Sequence, residues 1–164
     1  MIATVALVWA AFAVQRPAQP EDSAARARFV AAVRAVDDSL NTVRGAAREF
    51  RLDLVAASPE LVRVRATRVQ ARCLGARAVV VQLAELLATQ VYTPQSRAAQ
   101  EALRQELPPL MHALTRCLRE WNSGSNVPVD SLKAWGPYRG AQLVAAVDRY
   151  GAKAAAFRSA VGLR

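Results

Sequence analysis

Apolar residues recur along this chain at spacings that alternate between four and three. From Glu21 to Ala57 there is no proline, and the apolar positions fall at Phe29, Val33, Val36, Leu40, Val43, Ala47, Phe50 and Leu54. A 4–3 alternation held for more than three heptads predicts one long amphipathic helix over about 21–57. Ser58-Pro59-Glu60 follows. Serine can cap a helix, proline suits the first helical position, and glutamate favours the positive end of the helix dipole. A second helix is therefore expected over about 59–91, with the seam Val62, Ala66, Val69, Cys73, Ala76, Val80, Leu83 and Leu87.

Thr93-Pro94 repeats the cap-then-proline signal. The third helix should span about 94–121, with Leu103, Leu107, Leu110, Leu114, Cys117 and Trp121 on its seam. Pro108-Pro109 interrupts it, which predicts a kink or short break. The stretch from Asn122 to Pro128 is a polar loop, and Asp130-Ser131 could start a helical turn that ends before Gly136-Pro137. The last helix is expected over about 137–161, through Leu143, Val147, Tyr150, Ala154, Phe157 and Val161. Val79-Val80-Val81 has β-propensity but sits inside a helical period, so no strand is expected. Four amphipathic helices joined mostly by short capped turns read as an all-α, up-down-up-down four-helix bundle over residues 21–164.

The first fourteen residues, MIATVALVWAAFAV, carry no charged side chain and are followed by QRPAQP. Such a stretch resembles the apolar core of a secretory signal, and Ala11-Phe12-Ala13 offers a cleavage site after residue 13. Residues 14–20 would then be a linker. No basic residue precedes the apolar run, which leaves open a retained anchor or a part of the fold. As a helix the segment would span about 20 Å against roughly 30 Å of hydrocarbon, too short to cross a bilayer alone. No cysteine follows the run to carry a lipid.

The chain has two cysteines, Cys73 and Cys117, both on seam positions. With an antiparallel turn near residue 93, they stand about 30 and 36 Å from it at 1.5 Å per residue. That is a mismatch of one helical turn, which the Pro108-Pro109 kink could absorb. An exported chain would meet an oxidising compartment. A Cys73–Cys117 disulfide is the expectation; two buried, unpaired thiols are the alternative. Closing that loop is worth about 4 kcal/mol in the chain-entropy account. With no C-x-x-C, a redox pair is not expected.

Catalytic chemistry finds little purchase. His112 is the only histidine, and it lies off the seam beside Met111. A Ser-His-Asp or Cys-His arrangement would have to use it, and no G-x-S-x-G elbow is present. Asp37, Asp38, Glu49 and Asp53 lie off the seam among Arg34, Arg44, Arg48 and Arg51, as solvated-face charges do. Di-iron bundles need E-x-x-H pairs and inward glutamates, which are missing. Covalent haem needs C-x-x-C-H, and non-covalent haem needs ligands from suitable helices. Beyond the apolar segment only the adjacent Met111 and His112 remain for that role. Neither a P-loop nor a dinucleotide-binding glycine motif occurs. No catalytic residue, metal site or cofactor is expected.

Charge changes the picture more. The chain of 164 residues has a formal charge of +9, and its only lysines are Lys133 and Lys153. An arginine-for-lysine, alanine-rich bias is compositional in part. The charge is uneven: residues 59–92 carry five arginines against Glu60 and Glu85. Arg65, Arg68 and Arg72 share a helix face and could meet an anionic membrane surface or an acidic partner. Without aromatic interleaving or a recognition fold, nucleic acid is not expected. Trp121, Trp135 and Tyr138 flank the 122–137 connection; they are read either as an interface anchor or as a cap on the core.

These features together predict a non-catalytic, exported module of the periplasm or cell envelope. It would be structural or interaction-mediating, for example an accessory subunit docked on a membrane complex. The alternative is a periplasmic bundle that carries a small molecule or cofactor in its interior. Architecture does not by itself decide between them.

Overall fold

A computed structural model describes residues 20–89, 94–122 and 127–162. They form four helices and, among the described residues, no strand: α1 (Pro20–Arg51), α2 (Pro59–Thr89), α3 (Pro94–Glu120) and α4 (Val129–Ala160). The proposed signal at residues 1–13 and most of the linker lie outside the described residues. The predicted seams are the core. Every seam position named for α1, α2 and α3 is buried, and on α4 only Val161 is partly exposed.

Cross-helix pairs give the packing order. Arg44 meets Asp148, and Arg158 meets Asp37, so α1 and α4 run antiparallel. Glu120 with Arg139 and Glu106 with Arg149 set the same relation for α3 and α4. Each helix packs on two neighbours, with α1 diagonal to α3 and α2 diagonal to α4; of the diagonals only α2 and α4 come close. A buried Leu or Phe contributes roughly 1.5–3 kcal/mol. A half-exposed ion pair contributes about 0–1 kcal/mol. The seams therefore hold the bundle, and the ion pairs adjust its register.

Cys73 and Cys117 are joined, with their Cα atoms 6.4 Å apart. No break in α3 is needed to bring them level. Gln100 Nε2 donates to the Leu87 carbonyl at 3.2 Å, and Gln70 Nε2 donates to the Leu118 carbonyl at 3.2 Å. These pairs and the disulfide share a midpoint near Pro94, so the α2–α3 register is uniform. Of the kink or short break the sequence suggested, the break does not occur: the helix continues through Pro108 and Pro109. Both prolines face solvent between buried Leu107 and Leu110. The carbonyls they leave without an amide partner belong to Arg104 and Gln105, whose exposed setting lets water serve them.

Two boundaries differ from expectation. α1 stops at Arg51, not near 57. Asp53 then takes a positive φ of 49° and turns the chain. Leu54 and Ala57 fold under the end of the core. Lys133 Nζ donates to the carbonyls of Val55 and Ala57, and Arg65 Nη1 donates to that of Leu52. Two cations thus satisfy carbonyls of the turn that follows the ended helix. Ser58 behaves as predicted: its Oγ accepts from the Leu61 amide at 3.2 Å.

The larger difference is in α4, which starts at Val129 and passes through Gly136-Pro137, where the sequence suggested a stop. Proline normally disfavours a helical residue before it, because its Cδ meets that residue's Cβ. Glycine has no Cβ. Gly136 also lies against Phe50, and a Cβ built there would stand 2.4 Å from Phe50 Cε1. Leu132, Gly136 and Gly140 extend the buried seam by two further turns. Tertiary burial therefore carries the helix across the proline.

Candidate interaction surface

The described interior is lined almost entirely by apolar side chains. No Asp, Glu, His, Lys or Arg among the described residues is fully buried. Among those residues no group of three or more His, Cys, Asp or Glu could hold a metal ion. No helix among them is long and apolar enough to cross a membrane. Among the described residues Tyr150 is the one phenol in the core, and burial pushes its pKa well above the ordinary 10.0. Its hydroxyl has no hydrogen-bond partner among the described residues.

The carboxylates considered from sequence do not converge. Asp37 pairs with Arg158, Glu49 with Arg68, and Asp53 forms the α1–α2 turn. His112 is exposed and lines an open groove of about 540 Å³ between α3 and α4. Cys117, Leu143 and Ala146 form part of its floor, with Arg116, Glu120, Arg139 and Arg149 around it. Glu120 already holds Arg116 at 2.8 Å and Arg139 at 3.5 Å.

The three arginines singled out on α2 take different roles. Arg65 is half-buried and turned onto the Leu52 carbonyl; Arg68 bonds Glu49 across to α1. Arg72 is exposed and has no ion-pair partner among the described residues, and the same holds for Arg63 and Arg77. The aromatic cluster also divides. Trp121 is 1% exposed and packs edge-on against Phe50 and Trp135, with centroids 4.6 and 5.5 Å away. It closes the core at the end where α1 and α3 finish. Trp135 is half-buried beside it. Tyr138 is exposed, with the Arg139 guanidinium 5.9 Å from its ring centre.

Sequence reasoning missed where the large exposed apolar residues would gather. They are Leu52 and Val55 in the α1–α2 turn, Leu61, Val64, Leu74 and Val81 on α2, and Tyr138. Val55 is 95% exposed and Leu74 59%. Apart from Tyr138, all belong to one continuous stretch, and Arg63, Arg68, Arg72 and Arg77 interleave with it. Scattered apolar residues on a surface are ordinary; a gathered set suggests a contact surface. Comparison with protein-family models, curated proteins and solved structures finds no match to this chain.

Proposed function

We infer that this protein is a non-catalytic interaction module of the cell envelope, exported and disulfide-bonded, in the manner of an accessory subunit docked on a membrane complex. One observation carries the reading: among the described residues, the large exposed aliphatic side chains are confined to the α1–α2 turn and α2, interleaved with Arg63, Arg72 and Arg77, which have no acidic partner among those residues. A filled aliphatic interior with an apolar, basic outside face is suited to binding another macromolecule. The Cys73–Cys117 bond supports an oxidising compartment, where such bridges persist. The apolar segment at residues 1–14 supports export or anchoring.

The test is the intact mass of the chain from its native cells, measured on soluble and membrane fractions. The expected species is about 2 Da lighter than the reduced chain, because the disulfide forms with loss of two hydrogens. It either begins near Val14 and co-migrates with an envelope complex, or keeps Met1 and stays with the membrane. A reduced, free-standing cytoplasmic chain would overturn the reading.

The α3–α4 groove favours a second reading, a small-molecule carrier that binds on the surface of the bundle and not inside it. Native mass spectrometry of protein purified from its own cells discriminates. A stoichiometric adduct lost on His112→Ala with Arg149→Ala would favour the carrier.

A further inference from the structure

The core seam of α2 does not exhaust its pattern. A second run at alternating spacings of three and four passes through Val64, Thr67, Ala71, Leu74, Ala78 and Val81, and continues to Glu85 and Ala88. All of these residues are exposed. Residues 62 and 64 are separated by about 200° of helical turn, so this run lies opposite the buried seam. α2 is thus apolar on two faces, one against the bundle and one facing outward. Where burial is described, the exposed residues of α1 and α3 show no such run: apart from alanine, glycine and the Pro108-Pro109 pair they are polar or charged.

The geometry of the outer run says what covers it. An apolar stripe only two positions wide, repeating every seven residues, is the seam of a coiled coil; a helix lying on a lipid surface shows a broader face. The seam has no Trp, Tyr or Phe of the kind that anchors at a bilayer interface. Ala71, Gly75 and Ala78 surround Leu74, and a Cβ added at Gly75 would meet nothing within 4 Å. A partner backbone can approach closely there. From Val64 to Val81 the run is about 26 Å long at 1.5 Å per residue, close to five helical turns.

Charge narrows the occupant further. Arg63 and Arg77 flank one side of the seam and Arg68 the other; Arg72 lies further round, towards the buried face. Arg63, Arg72 and Arg77 have no acidic partner among the described residues. Residues in these flanking positions set partner choice in coiled coils. A second copy of α2 would bring more arginine to this edge, with Glu85 as the one acid along the run. We propose that the outward face of α2 is a docking seam for an acidic amphipathic helix of a partner protein. That helix supplies small or branched apolar residues every three and four positions, with Asp or Glu on its flanks. This identification rests on the interaction-module reading and names the partner's chemistry.

The experiment replaces Leu74 by the photo-crosslinker p-benzoylphenylalanine in the full chain, expressed in its native cells. Leu74 is exposed, so circular dichroism should match the unsubstituted protein. Gln105, exposed on α3, is the control position. Irradiation from position 74 is expected to yield one crosslinked segment whose sequence shows heptad apolar positions flanked by acids. Position 105 should not yield it. Arg63→Glu with Arg77→Glu should lower that yield about tenfold while leaving the thermal midpoint unchanged, as loss of two rim charges predicts. Crosslinks to a second copy of this chain, to lipid alone, to a segment without flanking acids, or to nothing would each overturn the seam. Crosslinks from position 138 to a membrane complex, with none from position 74, would overturn the seam and leave the broader reading standing.

Discussion

Replacing Gly136 by alanine tests the account of why α4 crosses a proline. In an unobstructed helix this change is favourable by about 0.5–1 kcal/mol, because glycine has more backbone freedom to lose. At position 136 two steric costs oppose it. The new Cβ would lie 2.4 Å from Phe50 Cε1 and 2.9 Å from Cζ. Phe50 is fully buried and held edge-on against Trp121 at 4.6 Å, so its ring has little room to give. Overpacking of this kind costs about 1–3 kcal/mol. The methyl group also meets the Cδ of Pro137, a second clash confined to residues before proline. The net expectation is a loss of about 2 kcal/mol, or roughly 4–8 °C in Tm for a chain of this size.

Gly45→Ala is the internal control, because Gly45 sits on exposed α1 with nothing within 4 Å of an added Cβ. It should stabilise by about 0.5–1 kcal/mol. Urea and thermal unfolding followed by far-ultraviolet circular dichroism, with the disulfide intact, give both values. Phe50→Leu in the Gly136→Ala background should recover part of the loss, and the double-mutant cycle should show coupling of about 1 kcal/mol. If Gly136→Ala proved as stabilising as Gly45→Ala, or if its effect simply added to that of Phe50→Leu, the packing argument would be refuted.

Further expectations follow from the same structure. Tyr150→Phe removes a buried hydroxyl without a partner and should stabilise by about 1 kcal/mol at neutral pH, read from the urea midpoint. Burial raises the Tyr150 pKa above 10.0, so above about pH 10 the unfolded chain releases a proton that the folded chain keeps. Stability should hold below pH 10 and fall above it by up to about 1.4 kcal/mol per pH unit. Tyr150→Phe should flatten that decline, whereas Tyr138→Phe, an exposed site, should not. Cys73→Ala with Cys117→Ala should lower stability by about 4 kcal/mol, seen as an earlier urea midpoint. A loss under about 1 kcal/mol would argue against the chain-entropy account for this loop. Pro108→Ala restores an amide to an unbroken, solvent-facing turn and should stabilise by about 1–3 kcal/mol; destabilisation would mean the proline serves the packing.

The buried seams were legible because each reflects one helix meeting one core. Phe29 to Phe50, Val62 to Leu87 and Leu103 to Trp121 are buried as the 4–3 rhythm implied, and with them came the pairing of Cys73 with Cys117. What the rhythm could not convey was the choice of a residue by its neighbour across the bundle. Gly136-Pro137 reads as a stop along its own helix and becomes a continuation only when Phe50 occupies the space a side chain would need. Asp53 ends α1 early, yet the residues that support the turn, Lys133 and Arg65, come from α4 and α2. Arg65 and Arg68 formed a face with Arg72 on a helical wheel, but the α1–α2 turn draws Arg65 away, α1 draws Arg68, and Arg72 is left to solvent. The outer run on α2 was written in the chain all along. It escaped notice because the inner run already explained why the segment is helical. A helix needs one apolar face to join a bundle. A second face at the same period, opposite the first, is not required by this fold, and the proposed docking seam accounts for it.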